Sequence, residues 1–142
     1  MNNIENNLAI APDRMDELPA FLPALSRPER EFIREWNLVR KDAEKVIVIT
    51  PPIYAADVYQ FFRLAGQPWW CDYSYKPEKA RAMLEDDGII ASATLAQVKT
   101  MLTLCVRGER FCDGFWASIL SAGRVTALLR RLEVLRKETA AP

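Results

Sequence analysis

Hydrophobic residues in the second half of the chain recur every three or four positions, a spacing that is typical of amphipathic helices. The pattern predicts three helices, over Leu95 to about Cys112, Phe115 to Ala122 and Val125 to Lys137. Gly114 and Gly123 separate them, because glycine favours the ends of helices. Thr94 and Gln97 have the spacing of a capping box, so the first of the three helices should begin at Leu95.

Three further helices are predicted before Thr94. The first opens at Ser26, the second runs from Ile53 to Ala65, and the third runs from Pro77 to about Asp87. The first has a serine that can cap it, a proline in its first turn and a glutamate in the capping-box position. Its apolar face would hold Phe32, Ile33, Trp36 and Val39 at helical spacing.

A continuous run of β-branched residues, Val46–Thr50, interrupts the helical pattern and predicts a short buried strand that Pro51 and Pro52 end. A single strand needs a partner for its backbone N–H and C=O groups. The candidates are the segment 89–91, the N-terminal arm and the same strand in a second subunit.

The predicted fold is mainly α, a single helical domain of about five or six helices over residues 26–138, with the Val46–Thr50 strand as a minor element. A length of 142 residues suits one domain. Residues 1–25 hold three prolines and no clear period, which predicts an irregular arm that Leu18 and Leu25 could dock. Residues 139–142 are expected to fray.

The composition argues against several classes of function. The chain has no histidine, which removes the usual general base and metal ligand, and it has no phosphate loop. Cys71, Cys105 and Cys112 include no Cys-x-x-Cys pair, so no metal and no cofactor are predicted. Lys and Arg equal Asp and Glu at 19 each, which weakens nucleic-acid binding and leaves a homodimer possible. No segment has the length of a membrane span, so a cytoplasmic protein without membrane contact is expected.

Residues 107–117 concentrate two arginines, two carboxylates, a thiol and large aromatic side chains in about three helical turns. If the helix continues through Cys112, Glu109 lies on its apolar stripe, where a carboxylate needs a partner. The structural interpretation is a salt bridge from Glu109 to Arg130 or Arg131 of the last helix. The functional interpretation is a carboxylate that lines a pocket.

The neighbours of Glu109 also have two interpretations. Arg110 and Asp113 stand three residues apart and could pair, or Asp113 could cap the helix that starts near Phe115. Arg107 faces solvent on this helix, where an arginine is either solvated or contacts an anion or a partner.

The loop that precedes Pro77 is rich in aromatic residues, with Asp72 among them. These residues are Trp69, Trp70, Tyr73 and Tyr75. Such side chains either pack a loop against the core with their polar tips hydrogen-bonded, or stack on the rings of a ligand.

Four sequence segments together resemble a known family. They are Glu35-Trp36, Pro52–Tyr54, Asp72–Tyr75 and Val106–Ala117. Their combination is similar to a family of small bacterial proteins of unknown function with the signature Arg-x-Glu-Arg-Phe-Cys-Asp-Gly-x-Trp-Ala. The resemblance extends from about Phe32 to Arg136 and implies no activity, but it points to the same 107–117 segment.

Three functions are compatible with these patterns. The leading hypothesis is a non-enzymatic binding module, an adaptor, regulator or inhibitor, that docks on a protein partner. One alternative is an enzyme that uses Glu109 or Asp72 as acid or base, with Arg107 or Arg110 as a clamp for a small anionic or nucleotide-like substrate. The other is nucleic-acid binding through the basic last helix. The candidate binding residues are Arg107, Arg110, Asp113, Trp116, Trp69, Trp70, Tyr73 and Tyr75.

Overall fold

Helices dominate the structure, a computed structural model that describes residues 10–36, 38–41 and 46–140. The α-helices are α1 (Leu22–Leu25), α2 (Ala56–Ala65), α3 (Pro77–Leu84), α4 (Asp87–Ala91), α5 (Leu95–Gly108), α6 (Phe115–Ser121) and α7 (Arg124–Ala140). The strands are β1 (Ile33–Glu35), β2 (Leu38–Lys41), β3 (Val46–Ile49) and β4 (Ile53–Tyr54). Single 3-10 turns are formed by Pro12–Arg14, Pro19–Phe21 and Pro68–Trp70. The predicted fold class, mainly α with a minor strand element, is confirmed.

The four strands form two antiparallel pairs. β2 pairs with β3, with Leu38 opposite Ile49 and Lys41 opposite Val46. β1 pairs with β4, with Ile33 opposite Tyr54. The predicted strand therefore pairs with the preceding segment of the same chain, and not with the segment 89–91 or with the described part of the N-terminal arm.

The helix predicted to open at Ser26 is wrong. Glu29 has a φ of 58°, a left-handed conformation that a right-handed helix cannot contain. The hydroxyl of Ser26 donates to the carbonyl of Leu22, so it lies at the end of α1 and does not begin a helix. Residues assigned to the apolar face of that helix lie instead in or beside strands, where the backbone groups of β1 and β2 are paired by β4 and β3.

Helices with strong local signals lie close to their predicted positions. Thr94 and Gln97 form the expected capping box, with bonds of 2.9 and 3.2 Å, and α5 begins at Leu95. This helix ends at Gly108, four residues before the predicted Cys112, because the chain enters a tight turn there. Helix α2 begins three residues late, since Ile53 and Tyr54 belong to β4.

The segment 89–91, a candidate strand, lies in helix α4. The side chain of Asp86 caps this helix by accepting from the backbone N–H of Gly88 and of Ile89. A capped turn satisfies the N–H groups that a strand would have to pair elsewhere.

The two ends of the described chain are more ordered than the sequence predicts. In the predicted arm, residues 1–9 lie outside the described residues, whereas Leu18 and Leu25 are buried in the core as anticipated. Helix α7 extends to Ala140, so Thr139 and Ala140, assigned to the frayed tail, are helical. Residues 141–142 lie outside the described part.

Helix α5 lies at the centre of the fold and packs against α2, α3, α6 and α7. Its stripe of Val98, Leu102 and Cys105 is fully buried, as the helical spacing predicts. Burial of one leucine side chain of this kind contributes roughly 1.5–3 kcal/mol. The rigid end of α5 therefore positions the segment that follows it, which is residues 107–117.

Candidate functional site

Glu109 follows α5 immediately and lies in the turn that leads to α6. Its Oε1 accepts hydrogen bonds from the Tyr54 hydroxyl and from the backbone N–H of Trp116, each at 2.8 Å. Its Oε2 accepts from the backbone N–H of Gly114, also at 2.8 Å. A carboxylate at this place satisfies N–H groups that the first turn of α6 leaves unpaired, and it complements the positive end of the helix.

The salt bridge predicted from Glu109 to Arg130 or Arg131 is wrong. The Nε of Arg131 donates to the carbonyl of Ala93 at 2.7 Å, and Arg130 is exposed. The prediction assumed that α5 continues through Cys112 and carries Glu109 inward. Because α5 ends at Gly108, the carboxylate instead reaches the start of α6.

Asp113 does not cap α6. The N-cap residue is Gly114, and the capping oxygens come from Glu109. Asp113 and Arg110 form no ion pair with each other, so the local pair that their spacing suggested is absent as well.

A cluster of four aromatic rings includes Tyr54, whose hydroxyl bonds the Glu109 carboxylate. Phe62 stacks on Trp116 with centroids 4.2 Å apart, and Tyr54 lies 5.3 Å from Trp116 and 5.9 Å from Tyr59. The ring Nε1 of Trp116 donates to the carbonyl of Cys105, which fixes the indole on α5. Burial, and then the hydrogen bond to Glu109, raise the pKa of Tyr54 well above the ordinary value of a phenol.

This cluster forms one wall of an open cleft of about 560 Å³, which we call the aromatic cleft. The cleft is lined by Pro51, Pro52, Tyr54, Tyr59, Phe62, Arg63, Val106, Glu109, Arg110, Asp113 and Trp116. Arg63 and Arg110 are both exposed and form no ion pair with any described residue. The cleft therefore combines aromatic walls with two cations that are open to a ligand.

A second, more enclosed cleft of about 320 Å³ lies on the other side of the same turn, and we call it the arginine cleft. It is lined by Tyr75, Pro77, Arg81, Leu104, Arg107, Gly108, Phe111, Cys112 and Phe115. The guanidinium of Arg107 lies over the ring of Tyr75, 5.1 Å from its centroid. Phe111 is 85% exposed, the highest value among the large hydrophobic side chains that are exposed.

The segment 107–116 thus separates two clefts. Each of its residues except Gly114 lines one cleft or the other. Gly114 adopts a φ of +87°, and a Cβ at this position would lie 2.8 Å from the ring of Trp36. The left-handed turn at Gly114 distributes the neighbouring side chains to both sides.

The predicted site residues are distributed unevenly between these clefts. Glu109, Arg110, Asp113 and Trp116 line the aromatic cleft, and Arg107 and Tyr75 line the arginine cleft. Trp69, Trp70, Tyr73 and Asp72 line neither of them. The two carboxylates proposed as acid or base are therefore not brought together.

Most of the aromatic loop is held by structural contacts. Trp70 is fully buried, and both Trp69 and Trp70 donate their indole N–H to Oε1 of Glu17, at 2.7 and 2.6 Å. Asp72 accepts from the backbone N–H of Ser74 at 3.0 Å and from the hydroxyl of Thr100 at 2.7 Å. These bonds attach the loop to the arm and to α5.

Sequence reasoning missed the contribution of α2 to the aromatic cleft. Tyr59, Phe62 and Arg63 lie three and four residues apart, so they share one side of that helix. Their spacing is a usable signal, although it lies outside the two segments 69–75 and 107–117 that the sequence singles out. Arg81 of α3 was missed in the same way at the arginine cleft.

Two further features bear on the chemistry of the described residues. No group of three or more His, Cys, Asp or Glu side chains among them could hold a metal ion. None of the helices described has both the length and the apolar composition required to cross a membrane.

A family model described as a family of unknown function, DUF6508, matches residues 10–138. The chain belongs to this family. The DUF6508 match spans both clefts and every helix that lines them. No curated protein and no solved structure matches this DUF6508 chain. The family carries no activity that could be transferred, so a function for this member has to be argued from its clefts.

Proposed function

We propose that this protein is a non-enzymatic binding module, and that the aromatic cleft holds a segment of a protein partner. The observation that supports this most is the state of Glu109. Both of its carboxylate oxygens accept short hydrogen bonds from fixed groups of the fold. A general base needs an oxygen directed at the proton that it removes, whereas these oxygens serve to build the wall of the cleft.

The composition of the cleft also supports a protein partner. Tyr, Trp and Arg are the residue types that contribute most to binding energy at protein interfaces, and Tyr59, Trp116 and Arg110 all line this cleft. Two exposed apolar side chains, Ile53 of β4 and Trp36 directly after β1, extend the apolar surface beside the cleft. The exposed arginines would pair with acidic groups of the partner.

The enzyme alternative has less support, because Asp72 lies outside the cleft that contains Glu109. Nucleic-acid binding also has less support, since the chain has a net charge of zero and Arg124 and Arg136 of α7 are near Asp87 and Glu133. The three cysteines are free thiols, which suits a reducing compartment such as the cytoplasm.

Site-specific photo-crosslinking in cells tests the proposal. A photoreactive phenylalanine would replace Tyr59, which is 39% exposed at the aromatic cleft. The control carries the same group at Val134 of α7, which is 44% exposed and lines neither cleft. We expect one protein to be crosslinked from position 59 in a 1:1 ratio, and not from position 134. Crosslinking of that protein should also decrease in an Arg110→Ala background.

Two outcomes would count against a protein-binding cleft. One is an identical set of crosslinked proteins from both positions, which would indicate random collisions. The other is an absence of protein adducts at position 59 under conditions in which a known pair of proteins crosslinks efficiently.

A further inference from the structure

The arginine cleft has charges of a single sign. Arg81 of α3 and Arg107 of α5 line it, and none of its lining residues is an aspartate or a glutamate. Neither arginine forms an ion pair with any described residue. The contact of Arg107 with the Tyr75 ring orients the guanidinium but leaves its charge uncompensated. A cleft with two arginines and no carboxylate favours an anion.

The remaining walls of the cleft are apolar. Leu104 is buried, Pro77 and Tyr75 lie on the α3 side, and Phe115 lies against Gly108 at the end of α5. The space beside Gly108 is filled by the Phe115 ring, since a Cβ there would lie 2.2 Å from a ring carbon. A ligand that fits this cleft therefore has an apolar body in addition to its negative charge.

Phe111 lines this cleft but leaves most of its surface in water. A phenylalanine exposed to 85% is a candidate for burial against a ligand. The turn that carries it is short and is held by backbone bonds from Phe111 and Cys112 to the carbonyl of Gly108, each at 3.1 Å. The ring is therefore presented by an ordered turn.

We propose that the arginine cleft binds a small carboxylic acid with an apolar body, such as a medium-chain fatty acid or an arylalkanoic acid. The carboxylate pairs with Arg107 and Arg81, and the body packs on Phe111, Phe115 and Leu104. The volume of about 320 Å³ lies at the lower end of the range for small-molecule sites, which begins at roughly 300 Å³. This inference concerns a different cleft from the proposed protein-binding function and does not depend on it.

The thiol of Cys112 makes the occupancy of the cleft measurable. Cys112 is exposed and lines this cleft, whereas Cys71 and Cys105 are buried. A neutral reagent, N-ethylmaleimide, would modify Cys112 first, and intact-mass spectrometry would give the rate. Octanoate and 3-phenylpropionate are the test ligands, and the corresponding primary amides are the uncharged controls. We expect each acid to slow the modification about tenfold at saturation with 1:1 stoichiometry, and each amide to have little effect.

Two substitutions separate the charge from the apolar contact. Arg107→Gln should raise the acid concentration needed for half-protection at least tenfold, while Arg34→Gln, at an exposed arginine that lines neither cleft, should leave it unchanged. Phe111→Ala should weaken protection by the acids without altering the thermal unfolding of the free protein. For each variant, protection is expressed as the ratio of the Cys112 modification rates with and without ligand, so that any change in the basal reactivity of the thiol cancels.

Three results would overturn the assignment. Equal protection by acids and amides would mean that the charge is not recognised, and an unchanged response in Arg107→Gln would mean that the acids bind elsewhere. The third comparison uses an acetylated peptide that ends in a free leucine carboxylate. Tighter protection by this peptide than by both acids would identify the site as one for a protein C-terminus.

Discussion

At the scale of single residues, the Glu109 carboxylate holds two elements of the aromatic cleft together. Its three hydrogen bonds connect β4, through Tyr54, to the start of α6, through Gly114 and Trp116. Tyr54 is 2% exposed, so removal of the carboxylate would leave its hydroxyl buried without an acceptor. Such a group costs roughly 1–3 kcal/mol.

Glu109→Ala should therefore lower the free energy of unfolding by about 2–3 kcal/mol. Tyr54→Phe removes the donor of the bond to Glu109. The destabilisation of the double variant Glu109→Ala/Tyr54→Phe should therefore be smaller, by about 1 kcal/mol, than the sum of the destabilisations of the two single variants. Urea denaturation measures all three variants. Asp113→Ala is the matched control, because that carboxylate makes no bond to a described residue, and its change should stay within about 0.5 kcal/mol. Strict additivity in the cycle would show that the bond contributes nothing.

Gly114 is required by both backbone conformation and space. Its φ of +87° is unfavourable for any residue with a Cβ, and a Cβ would approach the Trp36 ring to 2.8 Å. Gly114→Ala should destabilise the fold by at least about 1 kcal/mol. Trp36→Ala in the Gly114→Ala background should restore only the part of the lost stability that is due to the clash between the new Cβ and the Trp36 ring.

The comparison variant is Gly88→Ala in α4, where φ is negative and alanine is the better helix former. A Cβ at position 88 would lie 3.3 Å from Oδ1 of Asp86, which offsets part of the gain in helix propensity, so this substitution should destabilise the fold less than Gly114→Ala does. Thermal unfolding ranks the two substitutions, and equal effects at both positions would refute the conformational argument for Gly114.

At the scale of elements, the start of α2 is held by an ion pair. Asp57 in its first turn bonds Arg30, with the Nη1 of Arg30 2.7 Å from Oδ2, and the Arg30 side chain is only 8% exposed. The hydrogen bond from Arg30 is the largest cause that lowers the pKa of Asp57 below its ordinary value of 3.8. Because the folded state has the lower pKa, the unfolded state takes up the proton first as the solution is acidified.

The contribution of this pair should consequently be complete above about pH 4 and lost as the pH falls through the folded pKa of Asp57. Asp57→Asn should be less stable than wild type at pH 7, and the difference should shrink steadily below pH 4. Unfolding by urea at a series of pH values measures the difference in stability between wild type and Asp57→Asn. Arg30→Gln is a parallel test of the same ion pair. A difference that stays constant down to pH 2 would exclude this linkage.

The elements that sequence predicts well are those whose signals are local. The capping box of α5 and the glycine stops around α6 depend on residues within one turn, and the structure has all of them. The strands depend on pairing between segments up to 21 positions apart, as in Ile33 with Tyr54. The helical pattern at residues 32–39 is local, so it does not reveal that β4 is available to pair with this segment as a strand.

At the scale of the whole molecule, the candidate site was predictable in position but not in shape. The density of charged and aromatic groups singles out residues 107–117, and in the structure most of these residues line the two clefts. That these residues divide between two clefts follows from the end of α5 at Gly108 and the left-handed turn at Gly114. Neither feature is visible in helical periodicity, which extends the helix through Cys112 and directs Glu109 inward.

The central position of α5 should make the three thiols differ in how they become exposed. Cys105 is fully buried on that helix, and burial raises its pKa to about 12. Exposure of its sulfur requires α5 to separate from α2, α6 and α7 together, which amounts to unfolding of the core. In a Cys112→Ser variant, N-ethylmaleimide should therefore modify Cys105 only through global opening. The free energy from the labelling rate should equal that from urea denaturation.

Cys71 provides the internal comparison in the same experiment. It lies in the aromatic loop, buried but bonded through its thiol to the carbonyl of Gly66 at 3.3 Å, and its exposure needs only that loop to detach. Its opening free energy should consequently be lower than that of Cys105. Equal values for the two cysteines would show that the loop opens only with the core. A Cys105 rate close to that of Cys112 in wild type would disprove the central packing of α5, because an exposed thiol needs no opening at all.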